Sequence, residues 1–195
     1  MPITSELEAV NILLSAIGSS PVTNIDVCQN ADAQIAKNHL DKARKEIQTE
    51  QWYFNTEEGY PLIPNTDGEI RLPKNAINID QIGQFGTNSN LTVRGAKLYD
   101  RLRHTYNITQ TIYVTITLCL EYDELPETAV QYIIAKAARK YQEEMLGDPS
   151  LRTWTKEDEA TARGRLLDEQ LRVKKPHFGQ LPRLDPNVGI DFRDI

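Results

Sequence analysis

Apolar and polar positions along this chain follow a helical period, then alternate, then return to a helical period. From Thr4 to Gly18 the sequence reads TSELEAVNILLSAIG. Leu7, Val10, Leu14 and Ile17 recur at spacings of three and four, the signature of one helical face. Ser5 and Glu8 have capping-box spacing at its start, and Gly18 is a natural stop. A polar loop through Pro21 follows. A second helix is predicted from about Ala31 to Gln51. It has Ala36, Leu40, Ala43 and Ile47 on one face, and Lys37, Asp41, Lys45 and Glu46 on a solvated one.

The helical period breaks within EQWYFNTEEGYPLIP, Glu50 to Pro64, where Gly59 and Pro61 forbid continued helix. From Tyr60 to Tyr122 the pattern is β. YPLIP and EIRLP flank the turn-forming Asn65-Thr66-Asp67-Gly68, INIDQI alternates, and LTV and AKLYD flank a tight turn at Arg94-Gly95. TIYVTITLCLEY is the clearest strand. Ile112, Val114, Ile116, Leu118 and Leu120 are predicted to face one way, and Tyr113, Thr115, Thr117 and Cys119 the other.

Helices resume at Pro126, placed at the first helical position, where its missing amide costs nothing. Val130, Ile133, Ile134, Ala137, Tyr141 and Met145 make a broad apolar face. The next helix is expected to start at LGDPS, with Asp148 as N-cap and Pro149 at the first position. Leu151, Trp154, Leu167 and Leu171 mark that helix, and its middle, TKEDEATARGR, is expected to be exposed. After Lys175 the chain has prolines and glycines but no period, so it reads as an extended tail. The predicted class is α+β. Residues 1–55 and 123–175 form a bundle of about four helices, 56–122 an inserted antiparallel β lobe, and 176–195 an extended C-terminal arm.

Composition narrows the function. With 22 basic and 28 acidic residues the net charge is -6, a poor balance for general nucleic-acid binding, which needs clustered Lys and Arg. No stretch approaches the ~20 apolar residues of a membrane span, and the N-terminus lacks the basic, then apolar, pattern of a signal peptide. Cys28 and Cys119 make no disulfide framework, so a reducing cytoplasm is expected. His39, His104 and His177 have no ligand at metal spacing, and no phosphate-binding or nucleophile motif is present. No cofactor is expected. The enzymatic candidates are paired carboxylates. Glu57 and Glu58 are adjacent and in a strand would point to opposite faces, unlike the facing pair that a glycan hydrolase needs. Asp123, Glu124 and Glu127 suit a helix N-terminus, where they complement the macrodipole.

Four segments carry a family resemblance. WYFNTEEGYPLIP after a long helix, YDELPE from Tyr122 to Glu127, ELEAVNILLSAIGSSPV, and NADA before the second helix resemble, in order and spacing, tail tubular protein A of short-tailed, T7-like bacteriophages. The likeness spans most of Leu7 to Gln170, while the segment from Pro176 onward lies outside it. The resemblance implies a structural head-to-tail adaptor in the virion, assembled in the host cytoplasm as a homo-oligomeric ring of about a dozen subunits. Its implied partners are the portal protein, the tail nozzle (tail tubular protein B) and the tail fibre. Double-stranded DNA would pass through the ring without specific binding. The alternative class is a virion-associated glycan hydrolase acting on the host envelope.

Three residue groups follow. Trp52, Phe54, Glu57, Glu58 and Gly59 form an expected structural hinge. Tyr122, Asp123, Glu124, Pro126 and Glu127 form the corner where helix returns. Phe178, Leu181, Leu184, Val188, Ile190 and Phe192 give the tail apolar groups suited to an interaction arm.

Overall fold

The computed structural model describes residues 2–25, 30–80, 90–147, 150 and 152–174. In chain order the elements are α1 (Glu6–Ala16), α2 (Ala31–Gln48), β1 (Thr56–Leu62), β2 (Ala76–Asp80), β3 (Leu91–Arg94), β4 (Lys97–Asp100) and β5 (Ile112–Leu118). A 3-10 turn (Tyr122–Glu124) leads into α3 (Glu127–Met145) and then α4 (Lys156–Val173). The class is α+β, with four helices and two small antiparallel sheets among the described residues.

Helix α3 is the axis of the bundle. It touches each of the other three helices, and its buried residues run from Ala129 to Gln142 on nearly every side. A helix buried on most of its sides belongs in the middle of a core. Helices α1 and α2 bring Ala9, Val10, Leu13, Leu14, Ala36, Leu40, Ala43 and Ile47 against it. Helix α4 is the outer layer. Only Leu166 of it is buried, and its polar middle is exposed as the pattern predicts.

Strand β5 lies between β1 and β2 in one sheet, and β3 pairs with β4 in a separate hairpin. Backbone hydrogen bonds from Leu72 to Ala96 (2.9 Å) and from Leu98 to Ile70 (3.1 Å) tie the hairpin to the 70–72 segment. Leu62, Ile70, Leu91, Leu98, Ile108, Ile112, Val114 and Ile116 fill a second apolar cluster.

Several boundaries differ from the sequence pattern. Helix α2 stops at Gln48, not near Gln51, which takes a left-handed φ of 58°. Pro126 is the N-cap of α3, one residue before the helix, with ψ at 150°. The fourth helix begins at Lys156, after a capping box between Thr155 and Asp158. Trp154 therefore packs on the core ahead of the helix, and Leu171 is exposed. Asp148, Pro149 and Leu151 lie outside the described residues. The hairpin turn is Gly95-Ala96, because Arg94 pairs with Lys97. Gly95 at φ 60° in first place matches the turn twist that two-residue hairpins require. On β5, Thr117 is buried and Leu118 only half-buried, since the strand there runs into the base of the bundle.

Candidate functional site

The bundle and the sheet meet where α2 ends. The indole of Trp52 folds back on that end: it is 2% exposed, and its Nε1 donates to the Ile47 carbonyl at 2.8 Å. Asn55 then closes the turn. Its Oδ1 accepts from the Trp52 amide (2.9 Å), and its Nδ2 donates to the Gln48 carbonyl (2.7 Å) and to that of Leu118 (3.2 Å). The Leu118 amide donates to the Asn55 carbonyl at 2.8 Å. The chain leaving the bundle is thus stitched to the chain coming back.

Gln48 and Arg44, one helical turn apart, complete the junction. Gln48 accepts from the Leu120 amide at 2.7 Å and donates to the Leu120 carbonyl at 3.0 Å. Arg44 donates to the same carbonyl at 2.7 Å and to the Glu121 carboxylate at 2.8 Å. All three side chains, Arg44, Gln48 and Asn55, are buried. Sequence reasoning passed over them. The available signal was polar residues continuing beside the apolar stripe of Leu40, Ala43 and Ile47.

Tyr53 and Phe54 meet edge to face, with centroids 5.4 Å apart, and Phe54 is half-buried against the bundle core. The Tyr53 hydroxyl donates to Glu169 of α4 at 2.7 Å. Burial, then that carboxylate, pushes the phenol above its ordinary range. Glu57 and Glu58 are exposed at a β-bulge, where the pairing with β5 shifts register between Glu57 and Tyr60. Gly59 sits in that bulge at φ 70°. The bulge cancels strict alternation, so both carboxylates reach solvent.

At the returning corner Tyr122 is buried, while Asp123 and Glu124 are exposed. Glu124 caps the turn through the Glu121 amide (2.9 Å). Glu127 serves the N-terminus of the chain rather than its own helix. Its carboxylate accepts from the amides of Ile3 (2.7 Å) and Thr4 (3.1 Å), and from the Thr4 hydroxyl (2.7 Å) and Gln131 (2.6 Å). Burial alone would raise its pKa, but these donors outweigh it and hold the group below the usual carboxylate range. The hinge and the corner are brought together through Arg44, Gln48 and Leu120. Phe178, Leu181, Leu184, Val188, Ile190 and Phe192 lie outside the described residues.

This geometry ties the bundle to the sheet and leaves Glu57 and Glu58 in solvent. The family model for tail tubular proteins matches residues 7–176. The chain belongs to the tail tubular protein family. The match takes in every strand and every helix, save the first residue of α1. Tail tubular protein A of Klebsiella phage KP34 is 29% identical over 171 residues, covering 87% of this chain and 89% of that protein. Membership makes the chain a bacteriophage tail protein of the virion. No helix among the described residues is long and apolar enough to cross a membrane.

Proposed function

We propose that this chain is a structural adaptor at the head-to-tail junction. It forms a homo-oligomeric ring of about a dozen subunits between the portal and the nozzle of tail tubular protein B. The ring surrounds the DNA exit channel, helps seat the tail fibres, and is assembled in the host cytoplasm. The observation that carries this reading is the family match over nearly the whole folded chain. A ring protein acts through surfaces, and a bundle with a projecting sheet offers several, whose relative placement the buried junction at Gln48 and Asn55 fixes. On this reading residues 1–55 and 123–175 are the bundle, 56–122 the inserted lobe, and Trp52 to Gly59 with Tyr122 to Glu127 a structural hinge. The tail from 176 is an arm whose apolar groups dock on assembly.

The reading is non-enzymatic. Exposed placement of Glu57 and Glu58 on a bulged strand supports it, because a general acid needs a desolvated pocket to raise its pKa. The test is sedimentation and negative-stain imaging of the full chain, alone and mixed with its portal. Closed rings, or a ring seated on the portal, are expected. A chain that stays monomeric in both settings overturns the adaptor role.

A further inference from the structure

The outer face of the β3–β4 hairpin differs from the rest of this acidic chain. Cross-strand pairing places Thr92 beside Tyr99 and Arg94 beside Lys97 on one face. The Arg94 guanidinium lies 3.8 Å over the Tyr99 ring, and Tyr99 meets Tyr106 with centroids 4.8 Å apart. Next to them Arg101, Leu102, Arg103 and His104 are all exposed, Leu102 by 71%. Arg and Tyr are among the residues that interface centres are enriched in.

Arg94 carries the argument. Among the described residues no carboxylate pairs with it. Stacking on Tyr99 already restricts its side chain, so binding an anion costs less ordering than it would for a free Arg. The neighbouring cations are partly neutralised within the chain. Lys97 meets Glu69 at 2.7 Å, Arg71 meets the same carboxylate at 3.8 Å, and Arg103 meets Asp100 at 3.9 Å. What remains is a directed site for a few carboxylates, set among aromatic rings. It is not the broad unpaired stripe that grips a phosphate backbone.

A complementary surface exists on the other lobe. Glu127 holds the Ile3 and Thr4 amides, which brings the Ser5–Glu8 capping box of α1 beside the Tyr122 to Glu127 corner, while Glu6 there is met by Lys37 at 3.9 Å. The Tyr122 hydroxyl is buried and makes no hydrogen bond there. Asp123 is exposed and has no cation against it among the described residues. The hairpin packs on the sheet cluster and the acidic corner on the bundle cluster, so the two surfaces are different patches of one molecule. Contact between unlike patches of neighbouring copies is head to tail, the kind that closes into rings.

We infer that the Arg94–Tyr99 face of one copy docks on the Asp123 corner of the next. This rests on the ring reading above and names its subunit contact. The occupant is a second copy rather than nucleic acid.

The experiment is a charge-swap cycle in the full chain: Arg94→Glu, Asp123→Arg, and the two together. Self-association is followed by sedimentation velocity over a concentration series, and folding by thermal melts. Each single change is expected to weaken association at least about tenfold, near the lower end of coupling measured for close charge pairs across interfaces. The double variant is expected to recover most of that loss. If the wild type associates and the single variants do so equally well, or the double variant recovers nothing, the contact is overturned and the ring reading stands. A wild type that never associates, alone or on the portal, removes the ring reading and this contact with it. The same variants are titrated against a 30-base-pair duplex followed by fluorescence anisotropy. Binding that Arg94→Glu abolishes, with self-association unchanged, assigns the face to a polyanion and overturns the contact.

Discussion

The side-chain amide of Gln48 and the backbone of Leu120 form a closed two-bond pair, each residue giving one hydrogen bond and taking one, 72 residues apart in sequence. Gln48 is 0% exposed, so its side-chain amide has no solvent to turn to, while Leu120 is half-buried. Gln48→Leu keeps the approximate volume but takes the acceptor from the half-buried Leu120 amide. The expected loss is about 2–3 kcal/mol, the cost of unpaired buried polar groups. Urea unfolding checks it, and a change under about 0.5 kcal/mol, the range of a surface substitution, would show that the junction is not closed as described.

Trp52 anchors the same junction from the apolar side. Trp52→Ala removes a buried ring and its bond to Ile47 together. About 3–5 kcal/mol of stability should be lost, the range for core aromatics. Trp52→Phe keeps most of the packing and should lose less, which chemical melts of the pair of variants will resolve.

The bulge separates conformation from charge. Gly59 has open space around a built Cβ, but its φ is 70°. Gly59→Ala should therefore cost about 1–2 kcal/mol through backbone alone, the left-handed penalty of an L-residue. Glu57→Gln and Glu58→Gln, on exposed side chains, should each stay within about 0.5 kcal/mol. They should also leave assembly unchanged. A folded Glu58→Gln that abolished a measurable glycan-hydrolase activity would reverse the non-enzymatic reading.

Glu127 makes stability depend on acid. Its folded pKa lies below the ordinary 4.5 because of the donors at Gln131, Thr4 and Ile3, against the opposing effect of burial. A lowered carboxylate pKa means that the unfolded chain takes up the proton first. The stabilisation is complete above pH about 4.5 and disappears as pH falls through the lower folded value. Glu127→Gln should cost about 1–2 kcal/mol at pH 7, as charge-assisted bonds become neutral ones. The two proteins should converge as pH falls through that lowered value. Urea melts at a series of pH values measure the difference, and an offset that does not shrink as pH falls below 4.5 would refute the linkage.

Periodicity carried far in this chain because most elements obey local rules. Ser5 and Glu8 cap α1 as their spacing says, and Ala36, Leu40, Ala43 and Ile47 line the core face of α2. What the pattern missed is non-local. Nothing near Gln48 in sequence says that its partner is the backbone at Leu120, and nothing near Glu127 says that it holds Ile3 and Thr4. Pro126 and the start of α4 were misplaced because local cues competed. A proline suits both the N-cap and the first turn, and α4 takes its start from the Thr155–Asp158 box, while Asp148 and Pro149 lie outside the described residues. The Gly59 bulge was hidden as well, since an alternation argument assumes an unbroken ladder.

The central position of α3 sets an order of events on the ribosome. Helices α1 and α2 are made first, but the surface that covers their apolar stripes comes from a helix encoded after the whole sheet. At roughly 5–20 residues per second, the chain from the end of α2 at Gln48 to the end of α3 at Met145 takes about 5–19 s to synthesise. For that interval Leu13, Leu14, Leu40 and Ile47 lack the cover that α3 gives, while the sheet, once β5 emerges, can close on itself. The nascent bundle is thus the stage of this chain's life most in need of a chaperone's shelter.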